Sequence, residues 1–277
     1  MSPFFSIITP VLNGAYYVND YLYSLRSQTF LSWEAIIIDD GSTDSSFEML
    51  RAAIHGDSRF VLNRLPSHLP SDSQPRGPYR PRNYGISLAR GEYICFLDID
   101  DFWLREKLMT QYEAIRRHPE ARLVFSSYYT AIHSLQVGYI KPFLGWIPIK
   151  KQVSLWNPIP NLTGCVHVSL ARTNYFLAVK HEDFVFWHDI ICLIEESNIV
   201  RVSQPLAIYR RSRNSLSGNK WAVVSWWLRC YDIFGYPLYV SCLFLLVKVL
   251  AESVEKLLVS MRVIRSISLS SFCSGDS

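Results

Sequence analysis

The 277-residue sequence lacks the features that mark several common protein classes. Its six cysteines are dispersed and form no CxxC or Cys/His metal motif, so we interpret them as reduced packing residues. The sequence opens with a predicted strand, and no signal peptide precedes that strand. Both observations predict a cytoplasmic protein. With 49% hydrophobic and 19% charged residues, the composition is that of a globular chain and excludes a disordered one.

An apolar run of the roughly 20 residues that a spanning helix needs is also missing. The most apolar stretch, Tyr236 to Ala251, is interrupted by Lys248. Together with Trp221, Trp226 and Trp227 just before it, this stretch is typical of an interfacial helix that lies on a membrane. The alternative is a C-terminal helix packed on the protein core.

Acidic residues are absent between Ser197 and Tyr231. The same segment contains six cationic residues, namely Arg201, Arg210, Arg211, Arg213, Lys220 and Arg229. This local surplus, in a chain of net charge +4, favours an anionic ligand or an anionic membrane surface. Nucleic-acid binding is not expected, because aromatic and basic residues do not interleave elsewhere in the chain.

The first half of the chain alternates short apolar strands with an amphipathic helix. Strands are predicted at Phe4–Thr9, Ala35–Ile38, Phe60–Leu62 and Tyr93–Leu97, and a helix at Ala15–Gln28. This βαβ order predicts a parallel sheet with right-handed crossovers. The residues that follow each strand are therefore expected at one edge of the sheet, where open α/β folds bind ligands.

Other elements are predicted with less regular patterns. Leu65–Pro81 is rich in Pro and Ser and is expected to be a loop, and Gly138–Pro160 shows no period and is expected to be a surface loop over the site. Strands are predicted at Cys165–Leu170 and Ile199–Ser203, and a helix at Phe184–Ser197.

Three acidic residues, Asp98, Asp100 and Asp101, follow the predicted strand that ends at Leu97. Alternate side chains of an extended segment project to the same side, so Asp98 and Asp100 can contact one ligand. Their hard oxygens suit Mg²⁺ or Mn²⁺, and a cation would offset the cost of packing like charges together. A metal in this position would most naturally hold a phosphate. The alternative is a solvated acidic turn.

Polar turns follow the first two strands, with the sequences TPVLNG (9–14) and DDGSTD (39–44). They can form two walls of one pocket, in which Asp39 or Asp40 accepts hydrogen bonds from a base or a ribose. The alternative is that these residues merely cap helices. Because TPVLNG is not glycine-rich, it does not support a nucleotidyltransferase.

Two further motifs are less specific. In HEDFVFW (181–187), the helix dipole alone explains Glu182 and Asp183 at the start of a helix. In YRRSRNSLS (209–217), the arginines can neutralise a diphosphate, or they can form a solvated or lipid-facing basic stretch.

Taken in this order, the segments SIITPVLNG, IIIDDGSTD, RNYGISLARGEYICFLDIDD and HEDFVFW resemble family 2 glycosyltransferases, especially bacterial enzymes that assemble polysaccharides and lipopolysaccharide O-antigens. The resemblance covers about the first 190 residues, and IYRRSRNSLSGNK extends it to about residue 220. It implies a GT-A fold, that is, an α/β protein with a Rossmann-like, mostly parallel sheet flanked by helices. The glycosyltransferase domain is expected at residues 1–218, and a helical, membrane-associating extension at 219–277.

The resemblance also implies a role for each matching residue. Asp98 and Asp100 form the DxD pair, with Asp100 as the direct metal ligand and Asp98 nearer the ribose or sugar, and Asp183 is the catalytic base. Thr9, Pro10 and Asn13 line the nucleotide pocket. The full set implied to bind substrate is Thr9, Pro10, Asn13, Asp39, Asp40, Arg82, Asp98, Glu182 and Arg210.

The implied reaction is an inverting transfer of a sugar, expected to be a hexose. It needs Mn²⁺ or Mg²⁺, a nucleotide-diphosphate sugar and a lipid-linked oligosaccharide acceptor, and it takes place in the cytoplasm or peripherally on the cytoplasmic face of the inner membrane. Two departures from the family pattern matter. Ser212 replaces the histidine of the YRxH motif, which leaves a third protein ligand to the metal in doubt. The Gln/Arg-x-x-Arg-Trp motif of processive synthases is absent, which favours transfer of a single sugar. The alternative is a catalytically inactive nucleotide-sugar-binding or membrane scaffold subunit.

Overall fold

The computed structural model describes residues 2–66, 77–131, 137–140, 147–210, 220–260 and 267–268. The strands within these ranges are β1 (Phe5–Val11), β2 (Trp33–Asp39), β3 (Phe60–Arg64), β4 (Tyr93–Phe96), β5 (Phe102–Trp103), β6 (Leu123–Ala131), β7 (Val137–Ile140), β8 (Cys165–His167), β9 (Ile199–Arg210) and β10 (Ile267–Ser268). The helices are α1 (Val18–Arg26), α2 (Ser46–Ala53), α3 (Tyr79–Leu88), α4 (Lys107–Arg117), α5 (Ile149–Gln152), α6 (Val168–Thr173), α7 (Glu182–Leu193), α8 (Lys220–Ile233) and α9 (Leu238–Ser260).

The strands form one mixed sheet in the order β10-β7-β6-β8-β4-β1-β2-β3, and β9 pairs with both β5 and β6. Strands β3, β2, β1 and β4 are parallel, as the βαβ pattern predicts. Strand β8 runs antiparallel to both of its neighbours, β4 and β6. Val11 pairs with Asp39 and Asp39 with Arg64, so the first three strands end level with one another. Their following turns therefore lie along one edge of the sheet.

The sheet is covered by apolar side chains on both faces. Along β1, Ile8 belongs to one buried cluster, whereas Phe5 and Ile7 belong to the cluster on the other face. The same alternation holds for Ile36 and Ile37 of β2. A strand buried on both faces has a continuous apolar sequence, which explains the runs seen in the chain. Each fully buried large aliphatic side chain contributes about 1.5–3 kcal/mol to stability.

Several predicted elements differ from the structure. The predicted loop Leu65–Pro81 overlaps the start of α3 at Tyr79, and its residues 67–76 lie outside the described ranges. Strand β9 continues to Arg210, seven residues past the predicted end at Ser203, because it pairs with β6 and with the two-residue strand β5. The predicted strand Cys165–Leu170 divides into β8 and α6. The predicted loop Gly138–Pro160 contains part of β7 and the short helix α5, while residues 141–146 lie outside the described ranges.

The two C-terminal helices differ in how they meet the core. On α8, Trp227, Cys230 and Tyr231 are buried in the same cluster as Phe184 of α7. On α9, large apolar side chains are exposed along much of the helix. Among the described helices, none combines the length and apolarity that crossing a bilayer requires.

Candidate active site

Asn13 joins the turn after β1 to the turn after β2. Its backbone is in the left-handed region, with φ 54°, a conformation that asparagine tolerates better than most residues. Its Oδ1 accepts hydrogen bonds from the backbone N–H groups of Thr43 at 2.8 Å and Asp44 at 3.3 Å, and its own N–H donates to Ser42 Oγ at 3.0 Å. The two polar turns are therefore one connected unit, as two walls of a single pocket require.

Asp39 and Asp40 lie at the end of β2 in different environments. Asp39 is 1% exposed, and its carboxylate accepts hydrogen bonds from the N–H groups of Gly41 and Ser42, both at 3.3 Å. Gly41 has φ 82°, which a residue with a Cβ rarely adopts. The Asp40 N–H donates to Val11 O at 2.8 Å, and Asp40 is more exposed than Asp39. Asp39 thus organises the turn, and Asp40 is the more accessible of the two.

The first turn packs directly against the acidic segment. A Cβ at Gly14 would lie 2.8 Å from Ile99 Cγ2, so this contact requires glycine. Thr9 is fully buried and its Oγ1 accepts a hydrogen bond from the Tyr21 hydroxyl at 2.9 Å, so the Thr9 side chain is bonded to α1. Pro10 is partly exposed. The acidic residues and the predicted nucleotide pocket are therefore adjacent.

Arg82 on α3 connects the acidic segment to the start of α7. Its side chain is 3% exposed, and Nη2 donates to both carboxylate oxygens of Asp98, at 2.7 and 2.8 Å. Its Nη1 donates to Glu182 Oε1 at 2.5 Å, and the guanidinium lies 5.3 Å from the centre of the Phe176 ring. Charge-assisted bonds of this kind are among the strongest in proteins. One buried cation therefore brings together the acidic motifs that follow β4 and begin α7.

Asp183 lies beside this bridge, at the first turn of α7. Its Oδ2 accepts a hydrogen bond from Asn157 Nδ2 at 2.8 Å, and its Oδ1 accepts one from the Phe184 N–H at 2.9 Å. Burial, together with the neighbouring Glu182 carboxylate, raises the pKa of Asp183 to about 7, although the Arg82 charge opposes this rise. A carboxylate with a pKa close to neutral is suited to accept a proton during catalysis.

Asn157 is a contact that the sequence analysis missed. It precedes Asp183 by 26 residues and lies in the segment predicted to be an irregular loop. No periodicity or motif marks it, and only the packing of that segment against α7 brings the two side chains together.

The carboxylates after β4 fit a divalent cation. Burial and the charge of Asp98 raise the pKa of Asp100 to about 6. Asp101 is buried, its Oδ1 accepts a hydrogen bond from the Arg210 N–H at 3.1 Å, and burial raises its pKa well above the usual range. A cation bound by Asp98 and Asp100 would relieve this crowding of charge. Within the described ranges no group of three or more His, Cys, Asp or Glu residues could hold a metal ion. Both Asp98 oxygens also accept hydrogen bonds from Arg82, so a cation held by Asp98 and Asp100 would share Asp98 with Arg82 and take its remaining ligands from phosphates and water.

Arg210 ends β9 next to the acidic segment. Its Nη2 lies 2.5 Å from Asp20 Oδ2, and its guanidinium lies 5.3 Å from the centre of the Tyr17 ring. Its charge also acts on Asp100 and Asp101. The contact with Asp20, 190 residues away in the chain, could not be predicted from the sequence. The rest of the predicted basic loop, residues 211–219 with Ser212, lies outside the described residues.

Comparison with solved structures identifies the fold. The chain is similar to Staphylococcus aureus TarS 1–349 in complex with UDP, with a TM-score of 0.59, 21% identity, 75% of this chain covered and 60% of that one. It is also similar to glucosyl-3-phosphoglycerate synthase from Mycobacterium tuberculosis in complex with Mn²⁺, UDP-glucose and phosphoglyceric acid, with a TM-score of 0.59, 16% identity, 84% of this chain covered and 80% of that one. The fold is that of the GT-A glycosyltransferases, which confirms the predicted fold class.

Sequence comparison identifies the family. The model of Glycosyl transferase family 2 matches residues 6–177. An uncharacterized glycosyltransferase from Haemophilus influenzae is 31% identical over 83% of this chain and 88% of its own. UDP-Glc:alpha-D-GlcNAc-diphosphoundecaprenol beta-1,3-glucosyltransferase WfgD from Escherichia coli is 26% identical over 83% of this chain and 85% of its own. The chain belongs to glycosyl transferase family 2 and is a glycosyltransferase, so the resemblance in its motifs is confirmed.

Proposed function

We propose that the protein is an inverting, metal-dependent glycosyltransferase. It moves one hexose from a nucleotide-diphosphate sugar to a lipid-linked glycan acceptor during the synthesis of a bacterial surface polysaccharide. The observation that carries this proposal is the Arg82 bridge. By binding both Asp98 and Glu182, Arg82 holds Asp98, one of the two carboxylates proposed to bind the metal, near Asp183, a carboxylate suited to accept a proton.

The relatives support the choice of substrates. The name of the Escherichia coli relative specifies UDP-glucose as donor and a sugar diphosphoundecaprenol as acceptor. The mycobacterial structure contains Mn²⁺ together with UDP-glucose. These properties belong to those proteins, and we infer the same chemical classes for this one, a nucleotide-diphosphate sugar and a lipid-linked acceptor.

Each residue of the site has a role in this proposal. Asp100 and Asp98 would hold Mn²⁺ or Mg²⁺, which when bound neutralises charge on the departing diphosphate. The turns joined by Asn13 bind the nucleotide, with Asp39 or Asp40 accepting hydrogen bonds from the base. Arg210 adds positive charge beside the acidic segment.

Asp183 acts as the general base. As the acceptor oxygen attacks the anomeric carbon, its proton moves to the Asp183 carboxylate and a new C–O bond forms. The bond between the anomeric carbon and the diphosphate breaks, and its electron pair leaves with the diphosphate. A single in-line displacement of this kind inverts the anomeric configuration. Asn157 donates a hydrogen bond to Asp183 Oδ2 and so fixes the direction of the carboxylate.

We further propose that residues 1–218 form the catalytic domain and that the extension from residue 219 helps the enzyme to act at the cytoplasmic face of the inner membrane. Transfer of a single sugar fits the absence of the processive motif.

A donor screen followed by product analysis tests the function. Nucleotide sugars would be screened for binding, and transfer to a lipid-linked acceptor would be measured with Mn²⁺ and with a chelator. We expect transfer to require the metal and to be lost in Asp100→Ala. Asp189 lies on the same helix as Asp183 but is exposed, and Asp189→Asn is the matched control that should keep wild-type turnover.

Two outcomes would contradict the proposal. Full activity in Asp100→Ala and in the presence of a chelator would contradict the proposed metal site. Binding of a nucleoside diphosphate with no hydrolysis or transfer of any donor would instead favour the inactive binding subunit.

A further inference from the structure

Helix α9 turns a row of apolar side chains toward solvent. Each member of this row, which we call the outer stripe, is more than half exposed: Tyr239, Leu243, Leu246, Val249, Leu250, Val254 and Leu257. Spacings of three and four residues place them on one side of the helix, over a length of roughly 27 Å at 1.5 Å per residue. A continuous apolar patch of this extent marks an interaction surface.

The opposite side of α9 faces the protein and carries a charged residue. Phe244 and Leu245 pack against the core, and the Lys248 side chain is only 16% exposed. Lys248 Nζ lies 4.4 Å from the centre of the Trp227 ring and pairs with Glu252. A surface helix in water normally has the reverse arrangement, with its charges outward and its apolar side chains inward. The outer stripe is therefore built for an apolar environment.

The protein core packs against the first part of α9. Its inner side is fixed by the ring contacts of Phe244 with Tyr231 at 5.6 Å and Tyr236 at 5.2 Å between centroids. From Val249 to Val254 every side chain is exposed, and the apolar ones among them belong to the outer stripe apart from Ala251.

A single layer of side chains separates α9 from the catalytic helix. Trp227 of α8 contacts His181 and Phe184, with ring centroids 4.7 and 4.9 Å apart, and Cys230 Sγ donates to Lys180 O at 3.6 Å. These contacts lie immediately before and after Asp183 in the chain. Whatever binds the outer stripe is consequently held at a fixed distance from the proposed base.

We propose that the outer stripe binds the surface of a bilayer that contains anionic lipids, with α9 lying in the plane of the membrane. The stripe itself carries no charged side chain, and α8, which packs beside α9, carries Lys220 and Arg229. Apolar insertion and attraction of cations to anionic headgroups together describe an interfacial helix. Membrane binding by the stripe does not depend on the proposed function. Its consequence rests on that function, namely that a lipid-linked acceptor reaches Asp183 from the membrane surface.

The bilayer is favoured over a second copy of this chain as the occupant. Helix pairs in water commonly fix their register with a polar or charged side chain within the seam or along its edges. The seven residues of the outer stripe supply none that is charged. Beside the stripe, Lys248 points inward to Trp227, and Glu252 pairs with Lys248. The surface of a bilayer is fluid, so a helix can bind it without a fixed register.

Vesicle flotation tests the inference. The full chain would be mixed with vesicles of equal parts phosphatidylglycerol and phosphatidylethanolamine, as wild type, as Leu246→Glu, as Leu246→Glu/Leu250→Glu and as Ala251→Glu. Ala251 is exposed but lies off the stripe, so Ala251→Glu measures the effect of one added charge that removes no side chain of the stripe, and it is compared with Leu246→Glu alone as well as with the double variant. We expect the double variant to lose vesicle binding by about tenfold or more, and the control to bind as wild type does. Because all three positions are exposed, thermal unfolding should be the same for each protein.

Two results would overturn the proposal. Equal flotation of all these proteins would show that the stripe does not bind the bilayer. A wild type that does not float and is a dimer in sedimentation, together with a monomeric double variant, would assign the stripe to contact between two copies.

An activity measurement separates this inference from the proposed function. Turnover on a soluble acceptor without a lipid should be unchanged in the double variant, and turnover on a vesicle-embedded lipid acceptor should fall. If wild type binds vesicles through the stripe but transfers no sugar, the proposed function fails and the membrane surface stands.

Discussion

Replacing Asp183 with Asn tests the proposed base through both stability and activity. Burial raises the pKa of this carboxyl from 3.8 to about 7. The folded protein therefore binds the proton more tightly than the unfolded chain does. A group of this kind stabilises the fold most at low pH, and that contribution is lost progressively as the pH rises from about 4 to about 7.

The magnitude follows from this shift. Between pH 5 and pH 8 the full shift would remove about 2.5 kcal/mol from the free energy of unfolding. Asp183 retains some solvent exposure, so screening reduces the expected loss to about 1–2 kcal/mol. In Asp183→Asn the titrating group is gone, and this part of the pH dependence should disappear. The free energy of unfolding of the variant minus that of wild type should therefore be larger at pH 8 than at pH 5.

Urea unfolding followed by tryptophan fluorescence, at pH 5 and at pH 8, gives the free energies directly. All other groups titrate in both proteins, so the comparison isolates position 183. Asp189→Asn, exposed on the same helix, should follow wild type.

The activity of Asp183→Asn is measured in parallel. Its turnover should fall by about 10² or more with donor affinity nearly unchanged, and wild-type kcat/KM should fall as the pH drops below about 7. The same pH dependence of stability in wild type and variant, within about 0.5 kcal/mol, would refute a raised pKa; unchanged turnover would reassign the base.

Three further substitutions probe the site. Asn157→Ala removes the hydrogen bond to the charged form of Asp183, so we expect about tenfold lower kcat and an acid limb of the pH profile displaced to higher pH. Arg82→Ala leaves two partly buried carboxylates without their cation and should cost about 3 kcal/mol in urea unfolding, the low end of the range for a buried pair. Gly14→Ala should weaken donor binding in calorimetry through its clash with Ile99, and Ile99→Ala in the same chain should restore it.

These substitutions have their own controls. Arg117 pairs with Glu113 on the surface, and Arg117→Ala should cost no more than about 0.5 kcal/mol, as exposed pairs do. Comparable losses for Arg82→Ala and Arg117→Ala would contradict the buried bridge. A change in kcat for Asn157→Ala with no displacement of the pH profile would mean that the amide acts on something other than Asp183. Failure of Ile99→Ala to restore binding would contradict the proposed clash.

The sequence predicted those parts of the fold that depend on local pattern. Buried parallel strands have continuous apolar runs, so β1, β2 and β4 were found within a few residues of their ends, and the acidic segment after β4 was placed at the ligand edge. Strand β5 has two residues and is a strand only because β9 pairs with it, so no local pattern could predict it.

The site was predictable in its residue types but not in its contacts. Arg82 was expected to face the nucleotide, whereas the structure places both of its Nη atoms on Asp98 and Glu182. The partners of Asp183 and Arg210 lie 26 and 190 residues away. Contacts at such separations depend on how the helices pack on the sheet, and residue spacing carries no record of that packing.

The pairing of β10 with β7 has a practical consequence for anyone who shortens this chain. Ile267 and Ser268 return to the sheet after α9 and lie antiparallel beside β7. A protein cut after α9 would leave the backbone N–H and C=O groups on that side of β7 without their partner, and open strand edges of this kind promote self-association. Versions made for crystallisation should therefore extend beyond residue 268, or carry a charged residue on the uncovered strand.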